Sequence, residues 1–286
     1  MMDTERALSD PTSSQPIGPA VAPRPRRSAG LQRRLAARAP AAVAFVAVLA
    51  AWQLATWLDN VPPALFPSPL LTAQKIVELG GLLARNSLPT LVEASFGLAA
   101  SVVIGIPLGI LLAGRGALSR GLFPLVLGTQ NIPKVALAPL LVVWFGFGVM
   151  PKFVLVILIT FFPVVITTVT GMRSVPHEML ELGRICKMTR LQRLRRLEFP
   201  FALPTIMSGI KVATTMAVIA AIVAEFVGST EGLGFIIIQA EGSINTPLIF
   251  AAIVVVSVIG FILYGLVGAV ERLLIPWHVS QRHKDR

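Results

Sequence analysis

Residues 153–172 read FVLVILITFFPVVITTVTGM, a run of 20 residues without a charged side chain. A helix of about 20 residues is roughly 30 Å long, which matches the hydrocarbon core of a bilayer. Other apolar runs lie before and after this one, separated by segments that contain charges, Gly and Pro. The sequence therefore predicts an integral membrane protein that crosses the bilayer several times.

The composition of all 286 residues agrees with this prediction. Only 14% of the residues are charged, 55% are hydrophobic, and the mean hydropathy is +0.77. A soluble domain carries about 25% charged residues, and a disordered chain has low hydrophobicity. Both classes are therefore excluded. The single cysteine, Cys186, also excludes an intrachain disulfide and a metal site built from cysteines.

Six spans are predicted, and each is an apolar run with at most one charge near its centre. They cover residues 41–58, 90–114, 121–147, 152–172, 201–225 and 247–270. Prolines at 124, 133 and 139 predict that the third span is either one long helix or a broken one. The domain organisation is a disordered basic tail at 1–38, a transmembrane domain at 39–277 with a polar segment at 174–200, and a basic tail at 278–286.

The basic residues indicate how the spans are oriented. Residues 1–38 contain seven Lys or Arg, residues 115–120 two, residues 173–211 eight, and the C-terminal end four. With six spans these 21 all fall on one side, whereas only Lys75, Arg85, Lys134 and Lys152 lie elsewhere. Because cytoplasmic loops are enriched in Lys and Arg, both termini are predicted to be cytoplasmic.

Motifs for catalysis are not found in the sequence. It contains neither HExxH nor GxSxG, and the three histidines, His177, His278 and His283, have no nucleophile or metal-ligand partner nearby. A GxxxxGK[ST] phosphate-binding loop does not occur either. The chain is therefore predicted not to be an enzyme and to need no cofactor or metal, so ATP-driven transport would require a separate ATPase chain.

The polar segment at 174–200 has the pattern of two short helices. Thr189 followed by Gln192 forms a capping box, which predicts that a second helix starts at Thr189. Leu180, Leu182 and Ile185 form an apolar stripe before it, and the second helix has a basic edge. Two interpretations remain open from the residues alone: a docking surface for a soluble partner, or an amphipathic segment lying on anionic lipid.

This segment resembles the EAA loop of the membrane subunits of binding-protein-dependent ABC importers. In that pattern Glu-Ala-Ala is followed by three residues, Gly, nine residues, Ile, one residue and Leu-Pro. The positions that align without a gap are Glu181, Leu182, Gly183, Lys187, Leu197 and Pro200. The resemblance implies that they couple the spans to an ATPase subunit. Lys187 departs from the pattern because it stands at the Gly position, where a positive φ is easiest for Gly.

Other motifs look like the sulfonate, taurine and nitrate branch of these permeases, which is similar to permeases for thiamine pyrimidine precursors. They are FPSP at 66–69, IPKVALAP at 132–139 with WFG at 144–146, and AEF at 224–226 with GLG at 232–234. The resemblance implies an all-α type I ABC importer permease fold in a bacterial plasma membrane. It also implies an ATPase subunit, an extracytoplasmic solute-binding protein and a second permease copy, in a homodimer.

Polar residues inside the spans are candidates for the translocation path. Lys134 lies in the third span with Gln130 and Asn131 close before it, between helix-breaking prolines. The alternative for Lys134 is that its ammonium extends to one interface. Glu93 and Glu225 are expected near the outer ends of their spans, either lining an outer vestibule or simply solvated there. A stand-alone secondary transporter is the alternative function, although its coupling acids should lie in mid-span.

Overall fold

The computed structural model describes residues 28–58, 62, 64–114 and 116–276. Within these ranges the regular structure is helical and no β-strand occurs, so the all-α prediction is confirmed. The chain divides into two compact units, Met1–Ala51 and Trp52–Arg286. The described part of the first unit is the larger part of one helix, and the second unit contains the remaining elements.

Eleven α-helices are present in the described ranges. They are α1 Ser28–Leu58, α2 Pro69–Glu78, α3 Gly80–Ala113, α4 Ala117–Gly128, α5 Ala138–Phe145, α6 Val149–Arg173, α7 His177–Ile185, α8 Arg190–Arg193, α9 Phe199–Phe226, α10 Leu233–Gly242 and α11 Thr246–Leu274. Two short 3-10 turns join α4 to α5, and a π-helical turn, Leu194–Glu198, joins α8 to α9.

Four helical stretches in the described ranges are long and apolar enough to cross a membrane. They are α3, α6, the continuous stretch from α8 through the π-helical turn to α9 (Arg190–Phe226), and α11. A fifth span is formed if the bent pair of helices on either side of 132–133 is counted as one. The first predicted span corresponds to the shorter apolar stretch Ala42–Leu58 of α1. The multi-span fold expected from hydropathy is therefore present.

The third predicted span is broken. Of the two forms that its prolines allow, one long helix or a broken one, the structure has the broken one. Helix α4 ends at Gly128, 3-10 turns follow at Thr129–Asn131 and Lys134–Leu137, and α5 begins at Ala138. The two halves are bent by 80°. Pro133 disfavours the helical conformation for the residue before it, and Ile132 is extended, with a ψ of 125°, so the helix is interrupted at this point.

Two boundaries differ from the sequence prediction by ten residues or more. Helix α3 begins at Gly80 instead of residue 90, and its added first part contains the polar Asn86, whose side chain donates to the Leu82 carbonyl. Helix α1 begins at Ser28, inside the predicted disordered tail, where residues 28–38 are rich in the helix formers Ala, Leu, Gln and Arg. The tail predictions at 1–27 and 278–286 lie outside the described residues.

Glycines hold the central helices of the second unit at close range. A Cβ on Gly97, Gly105 or Gly109 of α3 would meet α6 side chains, and one on Gly209 of α9 would collide with Thr167 of α6. The order of the α3 contacts shows that α3 and α6 run parallel. Gly171 of α6 faces Ala202, which precedes Gly209 in α9, so α9 runs antiparallel to α6. The pair Gly105 and Gly109 is thus a small-xxx-small contact in which backbones approach closely.

Candidate functional site

The segment between α6 and α9 forms a helix–turn–helix, which we call the coupling segment (residues 174–200). Its turn is a Schellman motif: the Met188 N–H donates to the Gly183 carbonyl at 3.0 Å, and the Lys187 N–H donates to the Arg184 carbonyl at 2.9 Å. Lys187 has a φ of 51°. The tight turn that suits Gly at this position is therefore retained with Lys in the left-handed conformation.

The second half of the coupling segment begins with the predicted capping box. The Gln192 N–H donates to Thr189 Oγ1 at 3.3 Å, and the Thr189 N–H donates to Gln192 Oε1 at 3.0 Å. Pro200 lies in the first turn of α9, directly after the π-helical turn, and has no N–H to donate to the carbonyls of that turn. The Thr189 prediction is confirmed, and α8 leads through the π-helical turn into a transmembrane helix.

The two halves of the coupling segment are packed against each other at Gly183. This glycine is buried, and a Cβ placed on it would lie 3.1 Å from Leu197 Cδ1 and 3.2 Å from Arg193 Cδ. Arg193 also binds Glu198, with Nε 2.6 Å from Oε1. Gly183 and Leu197, which align with the importer loop, therefore fix the angle between α7 and the helix that follows.

Apolar side chains project from this otherwise polar segment. Leu182 is 49% exposed, Ile185 78% and Leu191 56%. Leu180, the third member of the predicted stripe, is half-buried. Glu181 lies on the exposed surface of α7, with its Oε1 3.2 Å from His177 Nδ1. An exposed apolar surface of this kind fits either interpretation of the segment, a docking surface for a soluble partner or an amphipathic segment lying on lipid.

The predicted path residues lie at the break of the third span. Gln130 and Asn131 are exposed in the first 3-10 turn, and Lys134 is half-buried in the second. The Lys134 ammonium is 4.5 Å from the centroid of the Phe162 ring of α6 and 3.5 Å from the Gln130 carbonyl oxygen. The structure thus brings these three predicted residues together on one irregular stretch of backbone.

Glu93 occupies a different environment from the one predicted. Its side chain is only 3% exposed, and its Oε1 lies 2.6 Å from the Nζ of Lys152, whose side chain is 6% exposed. The other carboxylate oxygen has no hydrogen-bond partner in the described ranges. Glu93 on α3 and Lys152 on α6 therefore form an enclosed ion pair. Neither the vestibule nor the solvated interpretation describes Glu93 in this conformation, because packing between α3 and α6 encloses its carboxylate.

Glu225 is likewise enclosed, at 1% exposure, and it caps a helix. Its Oε1 accepts from Thr90 Oγ1 at 2.6 Å, and its Oε2 accepts from the N–H of Gly234 at the start of α10. A Cβ on Gly232 or Gly234 would collide with Glu225, so both positions need Gly. The AEF and GLG motifs noted in the sequence are thus two halves of one contact. Here too the enclosed position differs from both sequence interpretations.

Lys152 was missed by the sequence analysis, which counted it only as a charge outside the basic loops. A partner for Glu93 on another helix could not be found from spacing, since Glu93 and Lys152 are 59 positions apart. The only available signal was a lone Lys directly before an uncharged run. No group of His, Cys, Asp and Glu suited to a metal ion occurs in the described ranges.

Comparison with known proteins identifies the fold and the family. Residues 105–276 match the family of binding-protein-dependent transport system inner membrane components. An inward-facing methionine ABC transporter structure is similar with a TM-score of 0.61 and 22% identity, over 69% of this chain and 98% of that chain. This similarity supports the type I importer permease fold.

Three curated relatives cover most of the chain. A riboflavin transport system permease from Chloroflexus aurantiacus is 38% identical over 83% of this chain and 90% of its own length. A formylaminopyrimidine transport permease from Halalkalibacterium halodurans is 33% identical over 83% and 95%. An aliphatic sulfonates transport permease of Bacillus subtilis, described as putative, is 30% identical over 82% and 85%.

These matches decide against a stand-alone secondary transporter. They show that the chain is a permease subunit and that a separate ATPase hydrolyses the ATP. The chain belongs to the family of binding-protein-dependent transport system inner membrane components, the non-enzymatic permease subunits of bacterial ABC transporters.

Proposed function

We propose that the coupling segment docks on an ATPase subunit and that two copies of this permease enclose the path of a small heterocyclic solute. The observation that carries the proposal is the folded surface of α7 and α8. It exposes Leu182, Ile185 and Leu191 on a helix–turn–helix whose internal angle is fixed by Gly183. An apolar surface of this kind in a polar segment is stabilised when a partner covers it.

The proposed orientation puts both termini and the coupling segment in the cytoplasm, with α10 on the outer side. The support is the distribution of Lys and Arg, 21 of 25 on the side of the coupling segment. A reporter fused after Arg196 should then be active only as a cytoplasmic reporter. One fused after Ser243 should be active only as an external reporter, and the reverse pattern would contradict the orientation.

The proposed path runs along the broken span. Irregular backbone and exposed amides are stable at membrane depth only where protein or a water-filled cavity covers them. Gln130 and Asn131 are exposed in one copy of the chain, so a second copy facing them across an aqueous path would satisfy this requirement. The enclosed Glu93 and Glu225 are left out of this proposed path.

A heterocyclic solute is favoured over a sulfonate by the order of similarity. The riboflavin and formylaminopyrimidine permeases are 38% and 33% identical to this chain, against 30% for the sulfonates permease. We expect that the solute is selected by an extracytoplasmic binding protein and passed to the permease. In cells that express the complete transporter, uptake of labelled riboflavin or formylaminopyrimidine should exceed uptake of labelled taurine. Preferential taurine uptake would contradict the heterocycle proposal.

The docking role is tested at Glu181. Glu181→Arg should abolish co-purification of the ATPase and solute uptake together, because an unpaired or repelled charge in a docking groove costs several kcal/mol, roughly 2–5. Glu181→Gln should have the smaller effect, since it retains shape and hydrogen bonding. Glu178→Arg is the matched control, because it reverses an exposed carboxylate on the same helix outside the aligned positions. Normal co-purification and uptake with Glu181→Arg would refute the docking role.

A further inference from the structure

Arg173 joins three helices at the point where the coupling segment leaves the membrane domain. It is the last residue of α6, and only three residues separate it from α7. Its Nη2 donates to the Leu112 carbonyl at 3.1 Å and to Ser119 Oγ at 3.3 Å. Its guanidinium carbon lies 4.7 Å from the centroid of the Phe123 ring. One side chain thus connects the end of α3, the start of α4 and the end of α6.

The chemistry of this junction suits arginine in particular. Leu112 lies in the last turn of α3, where carbonyls have no partner within the helix and a positive charge is favourable. The buried Ser119 hydroxyl also donates to this carbonyl. A planar guanidinium can donate along its edge while its face stacks on an aromatic ring, which a lysine ammonium cannot do in the same way.

A second contact of the same kind ties the other side of the broken span to α6. The Lys134 ammonium lies over the Phe162 ring, while the Arg173 guanidinium lies over the Phe123 ring. Phe162 and Arg173 are 11 positions apart in α6, about 16 Å along that helix, and Phe123 and Lys134 lie on either side of the bend in the broken span. The broken span therefore contacts α6 at two places. Its Phe123 ring lies against Arg173 of α6, and its Lys134 ammonium lies over Phe162 of α6.

We propose that Arg173 is a positioning residue that transmits movement of the coupling segment to the broken span. The inference rests on the proposed function, because it requires that the coupling segment is driven by an ATPase. A displacement of α7 moves the end of α6, and the Arg173 contacts carry the start of α4 in the same direction. The polar turn that holds Gln130 and Lys134 then changes its exposure to the path.

The test measures exposure of the turn without needing a transported solute. Gln130→Cys is placed in a Cys186→Ser background, and the complex with the native ATPase subunit is purified. The rate of reaction with a charged, water-soluble methanethiosulfonate is measured with and without ATP and vanadate. In the parent complex the nucleotide should change this rate. Arg173→Gln and Phe123→Leu should reduce that nucleotide-dependent change by about two- to thirtyfold, the range that a cation–π contact supports.

Matched variants separate positioning from a general loss of structure. Phe123→Tyr keeps the ring and should retain the nucleotide response. Arg120→Gln removes an exposed charge beside Ser119 that makes no hydrogen bond or ion pair in the described ranges, and it should behave as the parent. The reaction rate without nucleotide and the amount of bound ATPase should stay within about twofold in every variant, whereas a structural defect would change both.

Two results would overturn the inference while leaving the proposed function intact. In the first, the ATPase co-purifies with the Arg173→Gln variant, and the nucleotide-dependent change in the reaction rate is as large as in the parent. The other is a parent complex in which the reactivity of the Gln130→Cys thiol does not respond to nucleotide, which would show that the turn does not follow the coupling segment. If the ATPase fails to bind the parent chain, the proposed docking role fails first and the inference fails with it.

Discussion

Breaking the enclosed Glu93–Lys152 pair should destabilise the permease more than any exposed charge change. The Lys152 and Glu93 side chains are 6% and 3% exposed, and their charged atoms are 2.6 Å apart. Lys152→Met removes the cation but leaves the Glu93 carboxylate buried. Leaving one partner of a buried pair uncompensated costs about 3–5 kcal/mol. At roughly 2–4 °C per kcal/mol for a domain of 150–250 residues, the Tm should fall by about 6–20 °C.

The double variant Glu93→Leu/Lys152→Met separates this cost from a loss of packing. It replaces both charges by apolar groups of similar volume, and such replacements of buried pairs are often neutral or stabilising. The double variant should therefore melt well above Lys152→Met alone. Lys75→Met is the matched control, because Lys75 pairs with Glu78 at 2.8 Å on the surface and exposed pairs contribute about 0–1 kcal/mol.

Thermal unfolding of the purified permease in one detergent is the appropriate assay, since all four proteins can be compared at the same scan rate. The reasoning is refuted if Lys152→Met melts within about 2 °C of Lys75→Met, a shift that corresponds to no more than about 1 kcal/mol. It is also refuted if the double variant melts no higher than Lys152→Met. Either result would mean that water or a rearranged partner compensates Glu93 when Lys152 is removed.

Two further predictions concern backbone conformation. Lys187→Gly should slow hydrogen exchange of the Met188 amide, because Gly avoids about 1–2 kcal/mol of left-handed strain and loses only about 0.5–1 kcal/mol in chain entropy. Lys187→Val should speed the same exchange, and equal rates would contradict the assignment of strain. Gly232→Ala should lower the Tm, because a φ of 104° costs about 1–3 kcal/mol and the new Cβ meets the Glu225 carboxylate. Gly242→Ala, with open space around it, should leave the Tm unchanged or slightly higher.

Patterns with a local cause could be predicted from the sequence. The spans follow from apolar runs, the capping box from Thr189 and Gln192, and the broken span from Pro133 and its neighbours. Each of these depends on residues within a few positions of one another, so the sequence carries the physical signal directly. The coupling segment was recognisable for the same reason, because its motif is continuous in the chain.

Contacts between distant residues could not be predicted in this way. Glu93 and Glu225 were expected near the outer ends of their spans, and hydropathy alone could not distinguish an exposed carboxylate there from an enclosed one. Their partners Lys152 and Thr90 are 59 and 135 positions away. The left-handed conformation of Lys187 could not be predicted from its residue type either, because capping and tertiary interactions override the usual preference for Gly at that position.

The central packing decides which parts of this permease can move. Helices α3, α6 and α9 touch through Gly97, Gly109 and Gly209, at distances where even a methyl group would collide. Interiors packed this closely transmit displacement and deform little, so α3, α6 and α9 should move together when the end of α6 is displaced. The 3-10 turns of the broken span have no buried residues, and their irregular backbone has fewer packing constraints. A displacement that enters at the coupling segment should therefore be expressed mainly at the turn around Gln130, where the proposed path lies.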